Sequence, residues 1–230
     1  MILELGGNAG VYVHKDADMA QTVNKCLTGG FAYSGQVCIH AQRFYVHKDV
    51  FDDFIKAFAE RSKTLKAGDP LDAATDISAM IDEENAKRVE EWINESVNNG
   101  AKLVLGGKRK GSYVEPTILT HTKVTDKVIC EEVFGPVVCV EPADDENAGI
   151  DRINASAFGL QAGVFTNDFK LVQKAFSRLE VGGVIMNDVP TFRADHMPYG
   201  GVKDSGLGRE GVAYTIREFM EPRILVYYTG

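Results

Sequence analysis

Apolar positions along this chain recur with two periods. Val50 to Leu65 sets Phe51, Phe54, Ile55, Phe58 and Leu65 at helical spacing, and Gly68-Asp69-Pro70 closes the segment. Asp82 to Asn99 repeats the pattern with Ala86, Val89, Trp92, Ile93 and Val97, and Gly100 follows as a stop. Phe169 to Leu179 is a third amphipathic helix. Asp16 to about Gly29 reads as a helix opened by an acidic residue, and Ile150 to Ala157 also reads as helical. Between these lie short β-rich runs: Val11–His14, Arg43–His47, Lys102–Leu105, Tyr113–Leu119, Val137–Val140, Ala162–Thr166 and Gly183–Asn187. The alternation predicts an α/β fold, a layered and mostly parallel sheet flanked by helices.

Two stretches break the rhythm. Asp188 to Arg209 is long, rich in Gly, Pro and charge, and without a regular period. Long ordered loops in compact domains are commonly functional. Arg223-Ile-Leu-Val-Tyr-Tyr228 is an apolar run at a terminus; as a strand it would leave an open sheet edge, and such edges pair. Lys108-Arg-Lys-Gly111 reads as a solvated basic turn, and His40 and His196 as surface or loop histidines.

Composition narrows the function classes. The 230 residues carry a net charge of −8, which argues against nucleic acid and against an anionic membrane surface. No apolar run reaches the ~20 residues of a spanning helix, and no basic-then-apolar leader opens the sequence. The four cysteines, Cys26, Cys38, Cys130 and Cys139, have no metal-type spacing, so no metal site is expected. Reduced thiols in a cytoplasmic protein are the corresponding expectation.

One of those thiols sits in a suggestive place. Phe31-Ala-Tyr-Ser-Gly35-Gln36-Val-Cys38 runs from a helix through a Gly-Gln turn to a cysteine just ahead of a β-rich run. A free thiol with a pKa of ~8.5 is mostly protonated at neutral pH, so a nucleophilic role needs a base or dipoles nearby. On its own the residue also fits a buried structural cysteine. Three further segments change the balance: Leu3-Glu4-Leu5-Gly6-Gly7, Glu131-Glu132-Val133-Phe134-Gly135-Pro136-Val137, and Pro198-Tyr199-Gly200-Gly201-Val202-Lys203-Asp204-Ser205-Gly206. Together and in this order, the four segments resemble the NAD(P)-dependent aldehyde dehydrogenase superfamily from about Leu3 to the last residues.

The resemblance implies a catalytic-domain fold over residues 1–222 and an oligomerisation strand over 223–230, pairing with a neighbouring subunit. It implies oxidation of an aldehyde to a carboxylic acid, with Cys38 as the nucleophile and Glu4 as the base that activates water. Glu132 would bind the nicotinamide ribose, with Phe134 and Gly6 on the same cofactor side, and the cofactor would be NAD or NADP. Leu3, Leu5 and the two glycines would give Glu4 a partly apolar setting, and Asn187 would shape the entry to the long loop. Family members are longer and carry a Rossmann-type unit ahead of the Leu-Glu-Leu-Gly-Gly strand. This sequence shows no strand–Gly-turn–helix unit that could cradle a pyrophosphate, so it reads as the catalytic half, weakly active or inactive alone. Asn8-Ala9-Gly10 departs from the family pattern. Two other functions stay open: thiol-dependent ester hydrolysis without cofactor, and self-association without catalysis.

Overall fold

The computed structural model describes residues 1–230. Its centre is a seven-stranded sheet: β1 (Ala9–Val13), β2 (Ala41–His47), β3 (Lys102–Leu105), β4 (Thr117–Thr120), β5 (Val137–Ala143), β6 (Gln161–Phe165) and β7 (Gly183–Met186). The spatial order is β7-β6-β1-β2-β5-β4-β3. Every neighbouring pair is parallel except β3 with β4. Seven helices accompany the sheet: α1 (Met19–Phe31), α2 (Phe51–Ser62), α3 (Glu83–Asn98), α4 (Lys127–Cys130), α5 (Glu146–Asn154), α6 (Phe169–Arg178) and α7 (Val212–Glu218).

The strands alternate their side chains between two faces, as a pleated backbone requires. Val11, Val13, Phe44, Val46, Val138 and Val140 join one core with Val23, Cys26, Phe54 and Phe58 of α1 and α2. Tyr12, Tyr45, Ala162 and Val164 join another with Ile150, Ile153, Leu171 and Ala175 of α5 and α6. The result is a three-layer α/β/α sandwich, as the alternating pattern predicts. Phe31, Phe44, Phe54 and Phe58 interlock with ring centroids 5.5–6.4 Å apart.

Aspartates cap four helices, each offering an oxygen to an early backbone N–H: Asp18 to Gln21 at 3.0 Å, Asp82 to Asn85 at 2.7 Å, Asp145 to Ala148 at 2.9 Å and Asp168 to Lys170 at 2.8 Å. These caps move two expected boundaries. α1 begins after Asp18 rather than at Asp16, whose carboxylate instead accepts from Thr166 and Asn167. α5 begins four residues ahead of Ile150. The expected strand Tyr113–Leu119 divides around Pro116: Tyr113–Val114 pairs with Arg109–Lys110, and β4 starts at Thr117. That pairing removes Arg109 from the solvated turn assigned to it; its guanidinium bonds Glu90 at 2.7 Å.

Residues 221–230 form no strand in the single chain and are exposed throughout. An isolated extended segment cannot satisfy its own backbone groups. No helix is long and apolar enough to cross a membrane.

Candidate active site

Parallel pairing puts the amino-terminal ends of β1, β2 and β5 along one edge of the sheet. Gly6-Gly7 enters β1, Cys38 precedes β2, and Glu132 to Gly135 precede β5. The candidate residues meet at that edge, although far apart in sequence.

Their backbones touch directly. The Gly7 N–H donates to Glu132 Oε1 at 2.8 Å. A Cβ at Gly6 would lie 2.9 Å from the Glu132 carboxyl carbon, and one at Gly7 would run into the Cys38 carbonyl oxygen. Gly7 is required by space, because a Cβ there would meet the Cys38 peptide, whereas a Cβ at Gly6 would displace the Glu132 carboxylate.

The loop leading to Cys38 is strained. Tyr33, Ser34 and Gly35 follow one another with φ of 54°, 54° and 69°, a left-handed run that costs ~1–2 kcal/mol for each non-glycine residue. Neighbouring chain holds it in place. Ser34 Oγ donates to the Ser78 carbonyl at 2.9 Å and accepts from the Ser78 N–H at 3.1 Å, and Gln36 Oε1 accepts from the Ile81 N–H at 2.9 Å. Gln36 is a brace.

The segment from Pro198 to Gly206 meets both Glu4 and Cys38. Leu3–Glu4 pairs antiparallel with Gly206–Leu207, opposing Glu4 to Gly206. Tyr199 is 3% exposed and packs with Ile39 and Leu160, and its hydroxyl lies 3.1 Å from Cys38 Sγ. Arg193 stacks over the Tyr199 ring at 4.3 Å from the centroid and pairs with Glu210 at 3.8 Å.

Electrostatics bind the group together. Burial pushes the Cys38 thiol above its usual range, the Tyr199 bond pulls it down, and the Glu4 and Glu132 carboxylates push it up. Burial also raises Glu132, opposed by the Gly7 N–H and assisted by the Glu4 charge. Glu4 itself is exposed, as are Leu3 and Leu5, so the apolar setting expected for this carboxylate is not built by its own strand.

The Aldehyde dehydrogenase family profile matches residues 1–225. The chain belongs to the aldehyde dehydrogenase family. It is 48% identical to 3-sulfolactaldehyde dehydrogenase of Priestia aryabhattai over 97% of this chain and 47% of that protein. It is 44% identical to lactaldehyde dehydrogenase of Methanococcus aeolicus over 99% of this chain and 49% of that protein. Among solved structures, aldehyde dehydrogenase 21 from Physcomitrella patens, in complex with the reaction product succinate, superposes with a TM-score of 0.94. That match is 42% identical over 96% of this chain and 46% of the other. The chain thus spans about half the length of the curated relatives it matches.

Within this aldehyde dehydrogenase fold, the structure gathers Cys38, Glu4, Gly6 and Glu132 at one edge. Phe134, 39% exposed and left-handed at φ 49°, stands outside the core beside them. Asn187, also left-handed, accepts the Thr166 N–H at 2.9 Å and turns the chain into the long loop. The departure at Asn8 has a local reason. Its amide donates to the Ile129 and Glu131 carbonyls, and its Oδ1 accepts from buried Arg43 at 2.8 Å. His40 is corrected: it is 4% exposed, and Nε2 donates to the Gly30 carbonyl at 2.9 Å. Tyr199 is the residue sequence reasoning missed. It lay inside a quoted motif but was given no role there.

Proposed function

We propose that this chain carries the thiol chemistry of an NAD(P)-dependent aldehyde-oxidising enzyme, with Cys38 as nucleophile and Glu4 as the base for water. The observation that carries the reading is the meeting of Cys38 with Glu4, Glu132 and Tyr199 at one sheet edge. The Cys38 thiolate adds to the aldehyde carbon, forming a C–S bond and sending the carbonyl π pair to oxygen. The Cys38 N–H makes no hydrogen bond within the chain and is free to donate to that oxygen. A bound nicotinamide supplies the acceptor for the hydride that leaves this carbon. Glu4 then takes a proton from water, whose oxygen attacks the thioester carbon and releases the acid and the Cys38 thiolate.

The residues fit the ribose-nicotinamide end of such a cofactor. Glu132 Oε1 is held by Gly7, the second oxygen has no protein donor, and Gly6 leaves the space beside it clear. The one Gly-x-Gly-x-x-Gly spacing, Gly206 to Gly211, begins in a two-residue strand paired with Leu3–Glu4 and does not follow a strand of the parallel sheet, so aldehyde oxidation by this chain alone is expected to be weak or absent. Steady-state turnover with NAD(P) at ordinary enzyme rates would overturn that expectation.

The substrate class we propose is an aldehyde bearing an anionic group. Arg193 presents a guanidinium over the ring of Tyr199, whose hydroxyl meets the Cys38 sulfur. One relative is named for 3-sulfolactaldehyde, and one solved neighbour holds succinate. A full-length relative of this chain should lose its preference for carboxylated over neutral aldehydes on Arg193→Ala; an unchanged preference removes Arg193 from recognition.

A second reading, hydrolysis of activated esters, is favoured because the thiol and the water base both lie within this chain. Hydrolysis of p-nitrophenyl acetate should be lost in Cys38→Ala; retention would sink both thiol readings. Residues 223–230 are proposed as an oligomerisation strand, supported by the exposure of Ile224, Leu225, Val226, Tyr227 and Tyr228. Light scattering on a chain ending before Arg223 should show reduced association; undiminished association refutes this, and association as the chain's sole activity would leave the third reading.

A further inference from the structure

We propose that Tyr199 is a catalytic residue whose phenolic O–H donates to the Cys38 sulfur and stabilises its thiolate. The inference rests on the reading of Cys38 as nucleophile. The hydroxyl lies 3.1 Å from Sγ, well inside hydrogen-bond range for sulfur, and forms no other side-chain bond. A thiolate can only accept. Once the Cys38 proton has passed to solvent, the phenol must be the donor, and it keeps its own proton throughout.

The donor is held in place before any substrate arrives. Tyr199 and Glu210 exchange backbone hydrogen bonds at 3.0 and 2.7 Å. The ring is buried against Ile39 and Leu160. Swinging the hydroxyl away would require breaking that packing, so little entropy remains to be lost when the bond forms.

Charge explains why the sulfur needs such a donor. The ionisable groups that act on Cys38 are Glu4, Glu132 and Tyr199. Both carboxylates oppose a negative sulfur; the phenol alone favours it. Around Tyr199 stand Cys38, Glu4 and Arg193, with Glu210 paired to Arg193. The Arg193 cation over the ring face, 4.3 Å from the centroid, draws electron density from the phenol and makes its O–H a stronger donor. A phenylalanine at this position would preserve the apolar packing and leave the sulfur facing two carboxylates unaided.

The test is the pH midpoint of Cys38 ionisation in the parent chain and in Tyr199→Phe. It is read by ultraviolet thiolate absorbance and by iodoacetamide modification mapped to Cys38. The midpoint should rise by about one pH unit, equivalent to about 1.4 kcal/mol, so that modification of Cys38 at neutral pH slows about tenfold. Cys130, exposed elsewhere on the surface, should react as before. Equal midpoints in the two proteins overturn the proposal. If Tyr199→Phe does not fold, Arg193→Gln provides the reading: a smaller rise supports the donor role, and no rise overturns it. Failure of the functional reading appears separately, as ester hydrolysis that survives Cys38→Ala, and leaves the ionisation midpoint fully measurable.

Discussion

Gly7→Ala tests how the Gly-Gly pair builds the site. Gly7 has an ordinary negative φ, so alanine brings no conformational strain there. The cost is one of space. The new methyl would overlap the Cys38 carbonyl oxygen, lie 3.1 Å from its carbon and touch Leu160 at 3.5 Å. The first neighbour is backbone, and the turn carrying it is already held by Ser78 and Ile81. Relief must come from shifting the Cys38 peptide or strand entry, which also disturbs the charge-assisted bond from Gly7 to Glu132. Overpacking of this kind costs about 1–3 kcal/mol, and weakening a bond to a carboxylate adds about 1 kcal/mol. A total near 3 kcal/mol is expected. Urea unfolding followed by the single tryptophan, Trp92, measures it. Gly111→Ala is the control: at φ 60° with nothing within 4 Å of a Cβ, it should cost only the ~1 kcal/mol of left-handed backbone. A Gly7→Ala loss no larger than that of Gly111→Ala would refute the close-approach argument.

Two further outcomes follow from buried groups. Burial holds the His40 pKa down from 6.5 to about 4, and its Nδ1 has no partner. The folded value lies below the unfolded one, so this stabilisation is complete above pH 6.5 and is lost as pH falls towards 4, by about 3 kcal/mol. A urea midpoint that falls no more steeply with acid in the parent than in His40→Gln would contradict this. Cys26 and Cys139 are fully buried and their thiols are pushed well up by desolvation. In native protein iodoacetamide should therefore modify Cys38 and Cys130 only; labelling of all four at equal rates would show that the core opens freely.

The layers were legible because periodicity records burial directly: Phe51, Phe54 and Phe58 mark a helix face whatever they pack against. Boundaries were less so. A cap such as Asp145 matters through one backbone bond, and Pro116 divides a β-rich run by removing one donor. The site was legible only through its four motifs. General reasoning about parallel sheets would have searched the carboxyl ends of the strands, whereas these residues collect at the amino ends. Tyr199 escaped notice because its partner lies 161 residues away, and His40 because nothing in a single histidine tells a core position from a loop. The apolar setting expected around Glu4 failed for a related reason: flanking leucines on a strand say nothing about what faces them.

The pairings that assemble the site span 125 residues from Gly7 to Glu132 and 161 from Cys38 to Tyr199. A nascent polypeptide leaving the ribosome releases Cys38 long before Glu132 and Tyr199 have been translated. Until Tyr199 has been translated that thiol lacks its phenolic neighbour, and until Glu132 has been translated Gly6 has no carboxylate to make room for. Assembly of this site is consequently governed by long-range closure rather than by any local segment.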